Sequence, residues 1–305
     1  MSSEYGAPAA ATAPAEQLAP VGDIEIAFDD RGNRDDPAIL LVQGLGTQMI
    51  FWEDGFCDKL VERGFRVIRM DNRDCGHSTV LSHAGKPPVA AMMLGIPRRL
   101  AYRMSDMAAD GIGLLDHLGI QKAHIVGCSM GGMIVQTMAI EHPDRILSLC
   151  SIMSRTGAYE DAMPGAKEMV ALMKTAPNDL DSFLKRMNYL VSVIGSPAYP
   201  TDPEKLRELV TRAWNRGIHQ TGTARQLHAI NCQPNRTRNL RKLDLPTLVI
   251  HGSADRLVFP RGGRATARAI QGSRLRIYEG MGHDLPEALQ PQWAAEIEAN
   301  AARAI

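Results

Sequence analysis

The chain has 305 residues, 45% of them hydrophobic, with 34 Lys and Arg set against 34 Asp and Glu. That hydrophobic share can fill a sizeable core, and a net charge of zero gives no support for a nucleic-acid or anionic-membrane partner, each of which wants a basic footprint. Length alone allows two domains, or one large α/β domain carrying an insertion.

Residues 1–20, "MSSEYGAPAAATAPAEQLAP", are rich in Ala and Pro. They lack the basic-then-apolar layout of a secretory signal and read as a disordered tail. "DIEIAF" then alternates like a half-buried strand, and "DDRGN" turns it. "AILLV" and "FRVIRM" are continuous apolar runs of the kind covered on both faces of a sheet, and "FWEDGFCDKLVERG" between them has helical spacing and a glycine stop. "PRRLAYR", Pro97 to Arg103, is the nearest approach to a basic patch and reads as one solvated helix face. "SDMAADGIGLLDHLG" predicts a helix with Ser105 as its N-cap and Gly119 as its end. A strand "AHIVG", a helix "MGGMIVQTMAIEHP" and a strand "ILSLCSIM" follow.

From 156 to 238 no buried strand stands out. "GAKEMVALMKT", "DLDSFLKRMNYLVSVI" and "PEKLRELVTRAWNRG" are helical. The strands resume with "LPTLVIHG" and "RLRIYEG", and "PQWAAEIEANAARAI" closes the chain as a helix. Alternating strands and helices predict parallel βαβ units in a doubly wound sheet. The expected division is a tail over 1–20, a core over 21–155 and 239–305, and a helical cap over 156–238. Such an insertion lies at the carboxyl edge of the strands, where open α/β sheets bind ligands. Five cysteines match no CxxC pattern, which fits reduced thiols in the cytoplasm. No run is long enough to span a membrane.

"GCSMGG", Gly127 to Gly132, stands between a strand-like and a helix-like run. Glycines are ordinary turn residues, so the corner alone proves little. A strand–G-x-S-x-G–helix corner is also what a nucleophile elbow requires. The turn is so tight that residues two before and two after the serine must lack a Cβ. The hydroxyl then meets the positive end of a helix dipole. A serine needs a base to take its proton, and the base needs an orienting acid. On this scaffold the order is Ser, acid, His. "LPTLVIHGSADRLVFP" supplies Asp255 just past a strand, and "RLRIYEGMGHDLP" supplies His283 past the next. Asp255 could instead be a turn residue, and His283 a loop histidine. Asp284 adjoins the histidine but is turned away by its position, and His251 precedes the acid, out of order for the base.

Acyl transfer puts negative charge on a carbonyl oxygen, and two backbone amides should meet it. Met130, after the serine, is one. Leu45 in "QGLGTQM" is the other, with Gly46 as the alternative. An apolar substrate pocket is expected from Gly44, Met92, Met93, Met163, Phe183, Met187, Tyr189 and Trp214, although helical apolar stripes also simply pack as core.

From Val21 onward, "LLVQGLG", "RMDNRDCGHST", "HIVGCSMGGMIVQTMAIEHPDRI", "LPTLVIHGSADRLVFP" and "YEGMGHDLP" resemble, in order, the α/β-hydrolase-fold serine hydrolases. The chain is most similar there to bacterial carboxylesterases and lipases and to aclacinomycin methylesterase-like esterases. The resemblance implies a triad of Ser129, Asp255 and His283 and oxyanion donors Leu45 and Met130. It also implies hydrolysis of a small ester with an apolar group and no metal or organic cofactor. Thioester, peracid or carbon–carbon chemistry on the same site stays open, as does a ligand receptor with little turnover. The chain departs from the family at Gln43, where relatives have His, and at Asp74, where the D-x-R-G-x-G pattern has Gly.

Overall fold

A computed structural model of the chain describes residues 15–158, 165–173 and 179–304. Eight strands form one sheet: β1 (Gln17–Val21), β2 (Ile24–Arg31), β3 (Ala38–Val42), β4 (Arg66–Met70), β5 (Ala123–Cys128), β6 (Ile146–Ile152), β7 (Thr247–Gly252) and β8 (Arg274–Tyr278). Their order is β1-β2-β4-β3-β5-β6-β7-β8. β1 and β2 are antiparallel to their neighbours, and the other strands run parallel. The apolar runs read from the sequence occupy the centre. Every residue of β3, β4, β5 and β7 is buried, because helices cover both faces.

The helices are α1 (Asp54–Val61), α2 (Val89–Leu94), α3 (Met104–His117), α4 (Met130–Glu141), α5 (Ala166–Met173), α6 (Leu180–Ile194), α7 (Pro203–Asn215), α8 (Gln220–Asn231), α9 (Thr237–Leu240), α10 (Pro260–Ala269) and α11 (Gln290–Ala301). One apolar cluster joins the sheet to α3 and α4 through residues such as Leu40, Ile125, Ile134 and Met138. The other joins Leu41, Val126 and Ile250 to Phe56 of α1 and Trp293 of α11. Helices α5 to α9 all fall between β6 and β7. The chain leaves β3 toward one edge of the sheet and β5 toward the other. The loops after those two strands therefore face each other at a switch point, the usual place for a ligand crevice.

Three local expectations change. The strand β1 begins at Gln17, inside the stretch read as a tail, and pairs along its length with β2. An edge strand tolerates Pro20, whose missing N–H faces no partner strand. Helix α3 begins at Met104, so Ser105 is not its cap. Arg103 takes that position, and its amide donates to Asp106 Oδ2 at 2.6 Å. The stretch 97–103 is not a helix, so "PRRLAYR" is a loop with its arginines exposed and Tyr102 buried, rather than a helix face.

Candidate active site

Ser129 sits at the corner between β5 and α4 with φ 54° and ψ −118°, a backbone state that L-residues avoid. The flanking glycines are required by contact. A Cβ on Gly127 would lie 2.2 Å from the Gly131 carbonyl oxygen, and one on Gly131 would lie 2.1 Å from the Val42 carbonyl oxygen. The corner is pinned on both sides. The Ser129 amide donates to the Ile152 carbonyl at 2.9 Å, and Ser154 Oγ donates to the Ser129 carbonyl at 2.8 Å.

Asp255 follows β7 and is buried. Its Oδ1 accepts the amides of Leu257 and Val258, each at 2.9 Å. Its Oδ2 lies 2.7 Å from His283 Nδ1, and His283 Nε2 lies 2.9 Å from Ser129 Oγ. Burial works to raise the Asp255 pKa. The facing His283 and the hydrogen bonds from His251 and His283 outweigh it and hold the carboxyl at about 2. An ionised carboxylate only accepts, so Nδ1 carries a proton, and in the neutral ring Nε2 is free to accept from the serine hydroxyl. His251 flanks the same carboxylate, with Nε2 2.7 Å from the Val258 carbonyl and 3.4 Å from Asp255 Oδ2. Gly252 lets the histidine loop close on β7, since a Cβ there would lie 2.1 Å from the Met281 carbonyl oxygen.

The His283 loop is fastened to the end of α6. The His283 amide donates to the Ile194 carbonyl at 2.6 Å. Ser196 Oγ accepts the Gly282 amide at 2.8 Å and donates to Asp284 Oδ1, whose partner oxygen accepts the Ser196 amide at 3.1 Å. Asp284 therefore points away from the imidazole and serves the loop. Nothing in the spacing of "GSPAYP" marks Ser196 in the sequence, because Ser, Gly and Pro are ordinary turn residues.

The loop after β3 passes over the serine: a Cβ on Gly44 would meet Ser129 Cβ at 3.2 Å. The Gly46 amide is taken by Gln226 Oε1 of α8 at 2.8 Å. No hydrogen bond engages the Leu45 amide among the described residues. Met130 is the first residue of α4, where an amide has no intrahelical acceptor. Among the described residues no group of three or more His, Cys, Asp or Glu side chains is arranged to hold a metal ion.

The family model for the alpha/beta hydrolase fold matches residues 37–287. The chain belongs to that family. It is 27% identical over 288 residues to rhodomycin D methylesterase DnrP of Streptomyces peucetius, covering 87% of this chain and 91% of that protein. It is 26% identical over 277 residues to the bifunctional esterase/perhydrolase DCH of Acinetobacter calcoaceticus, covering 86% and 91%. Among solved structures, the enol-lactonase from Burkholderia xenovorans LB400 shares the fold with a TM-score of 0.71 at 22% identity, over 94% of this chain and all of that one.

This hydrolase-fold chain uses its two departures as supports. Gln43 Oε1 accepts the Gly44 amide at 3.1 Å and the Cys128 thiol at 3.0 Å, so the glutamine braces the loop beside the serine. Asp74 has φ 67° and receives Arg225 of α8 through Nε at 2.7 Å and Nη2 at 2.6 Å, with the Tyr102 hydroxyl at 2.8 Å. Asp71 receives Arg216 Nη2 at 2.7 Å. The same acidic loop thus anchors two arginines, one after α7 and one in α8, that the sequence did not single out.

The expected pocket residues are placed differently from one another. Gly44 lies against Ser129. Met92 is buried against the main core, and Met93 is 44% exposed. Phe183, Met187 and Trp214 pack with Leu206 and Val210 between α6 and α7, with the Phe183 and Trp214 rings 5.3 Å apart. They form the interior of that helix pair, because their i to i+4 spacing faces them inward. Tyr189 is 37% exposed, and Met163 lies outside the described residues.

Proposed function

We propose that the chain hydrolyses carboxylic esters through an acyl-enzyme, with Ser129 as nucleophile, His283 as general base and acid, and Asp255 as orienting carboxylate. The observation that carries this is the unbroken relay from Asp255 Oδ2 through His283 to Ser129 Oγ, at 2.7 and 2.9 Å. Ser129 Oγ attacks the ester carbonyl as His283 Nε2 takes its proton. The Leu45 and Met130 amides receive the oxyanion. The alcohol leaves with the proton from His283. Water, deprotonated by the same nitrogen, releases the acid and restores the serine. Asp255 stabilises the imidazolium without taking its proton.

Helices over 156–238 act as a cap in this reading, and α8 braces the oxyanion loop through Gln226. The names of the methylesterase and esterase relatives support a small ester as substrate. The esterase/perhydrolase relative supports a second acceptor, in which hydrogen peroxide replaces water and a peracid leaves. The five free cysteines suit a reducing cytoplasm. Ser129→Ala should abolish p-nitrophenyl ester hydrolysis while the circular dichroism spectrum stays that of the parent. Retention of most of the activity would overturn the assignment.

A further inference from the structure

The outer face of α2 and the loop after it is the most apolar exposed surface among the described residues. Leu94 is 72% exposed, Val89 59%, Ile96 46% and Met93 44%. These are four of the seven large hydrophobic side chains that stand exposed there, and all fall within eight residues. Val89 and Met93 are four apart and share a helix face. The inner side is fixed. Ala91 and Met92 are buried, Asn231 Nδ2 donates to the Met92 carbonyl at 2.9 Å, and His228 Nε2 lies 2.8 Å from the Ile96 carbonyl. The apolar knob is therefore held out in the folded chain and is not a loosely packed edge.

Its charge is one-sided. From residue 75 to 105 there is no Asp or Glu, while Lys86, Arg98, Arg99 and Arg103 give +4 in a chain whose net charge is zero. All four side chains are exposed, and none forms an ion pair among the described residues.

We propose that this face docks the protein on an anionic lipid surface. Leu94, Val89, Met93 and Ile96 enter the headgroup–acyl boundary, and the four cations meet the lipid phosphates. Exposed apolar side chains flanked along the chain by Lys and Arg are what interfacial binding needs. A second copy of the chain is a poorer occupant, because a twofold contact sets the same four cations opposite themselves. Docking is peripheral: no helix of the described residues is long and apolar enough to cross a membrane. The surface also lies close to the chemistry. Helix α8 holds α2 through Asn231 and the loop after it through His228, and touches the oxyanion loop through Gln226.

The test is co-sedimentation of the full chain with phosphatidylcholine vesicles, with and without phosphatidylglycerol. The parent should bind the anionic vesicles and bind the neutral ones weakly. Leu94→Glu should lower the partition coefficient by about tenfold or more. Arg98→Glu with Arg99→Glu should lower it by at least about tenfold on anionic vesicles only, an effect that added salt reproduces in the parent. Hydrolysis of a short soluble ester by these variants should match the parent, so a failure of docking is distinguishable from a failure of the catalytic assignment. Equal sedimentation of the parent with and without anionic lipid would overturn the proposal. So would a parent dimer, seen by light scattering, that Leu94→Glu converts to monomer.

Discussion

At Ser129 the chain holds an L-residue at φ 54° and ψ −118°. Such a conformation costs on the order of 1–3 kcal/mol and persists because the neighbours over-determine it. Replacing the side chain separates strain from chemistry. Ser129→Ala keeps a Cβ in the strained state, whereas Ser129→Gly removes it. The glycine variant should be more stable than the alanine variant by about 1 kcal/mol in chemical denaturation, even after the greater freedom of glycine in the unfolded chain. Equal stability would mean that the corner is not strained. The serine corner could be read from the sequence because two Cβ-free positions are a steric necessity there. Asp255 and His283 could be read because each follows a strand end. Ser196 and Gln226 could not, since a single polar side chain in a loop or helix acquires its partner only when distant segments meet.

Between elements, the acidic loop after β4 ties the helical insertion to the core. Arg225 and Asp74 are both buried, and Tyr102 and the Leu81 amide complete the carboxylate's shell. Burial pushes the Asp74 pKa up, but the Arg225, Leu81 and Tyr102 hydrogen bonds outweigh it and hold the carboxyl below its usual range. Breaking one side of such a pair leaves an uncompensated buried charge. Arg225→Met should cost about 3–5 kcal/mol of stability, and adding Asp74→Asn should restore at least about 1 kcal/mol of it. Asparagine tolerates the positive φ at 74. A double variant no more stable than Arg225→Met alone would show that charge burial is not what the pair resolves. The sequence marked Asp74 as a departure without saying what it served, because its partner lies 151 residues away. The continuous apolar strands were readable from composition. The strand β1 was not, because Ala and Pro hide an edge strand that needs only one neighbour.

Across the whole molecule, acid should weaken the fold in two steps, one set by burial and one by a carboxylate's histidine partners. His124 is a residue of β5 whose ring lies 2.8 Å from Ser148 Oγ on β6, and burial lowers its pKa from 6.5 to about 4. The folded chain therefore keeps this imidazole neutral where the unfolded chain protonates it. Its contribution is full above pH 6.5 and fades as pH falls to about 4. Asp255 adds a second loss between pH 3.8 and about 2, because its folded pKa is also depressed. His124→Asn should flatten the slope of unfolding free energy against pH between 6.5 and 4 by up to one proton, and an unchanged slope would remove His124 as the cause. The doubly wound architecture followed from strand and helix alternation. Which apolar residues of the insertion would line a site did not, since Phe183 and Trp214 carry the same helical spacing whether they face a ligand or each other.

The central claim is that one serine, activated through His283, forms a covalent bond to the substrate's acyl group. A fluorophosphonate tests it directly. Ser129 Oγ should form an O–P bond as fluoride leaves and His283 takes the proton, and intact-mass and peptide mass spectrometry should then show one adduct per chain, on Ser129, with ester hydrolysis lost in step. Full labelling at another residue, or esterase activity that survives complete labelling of Ser129, would contradict it.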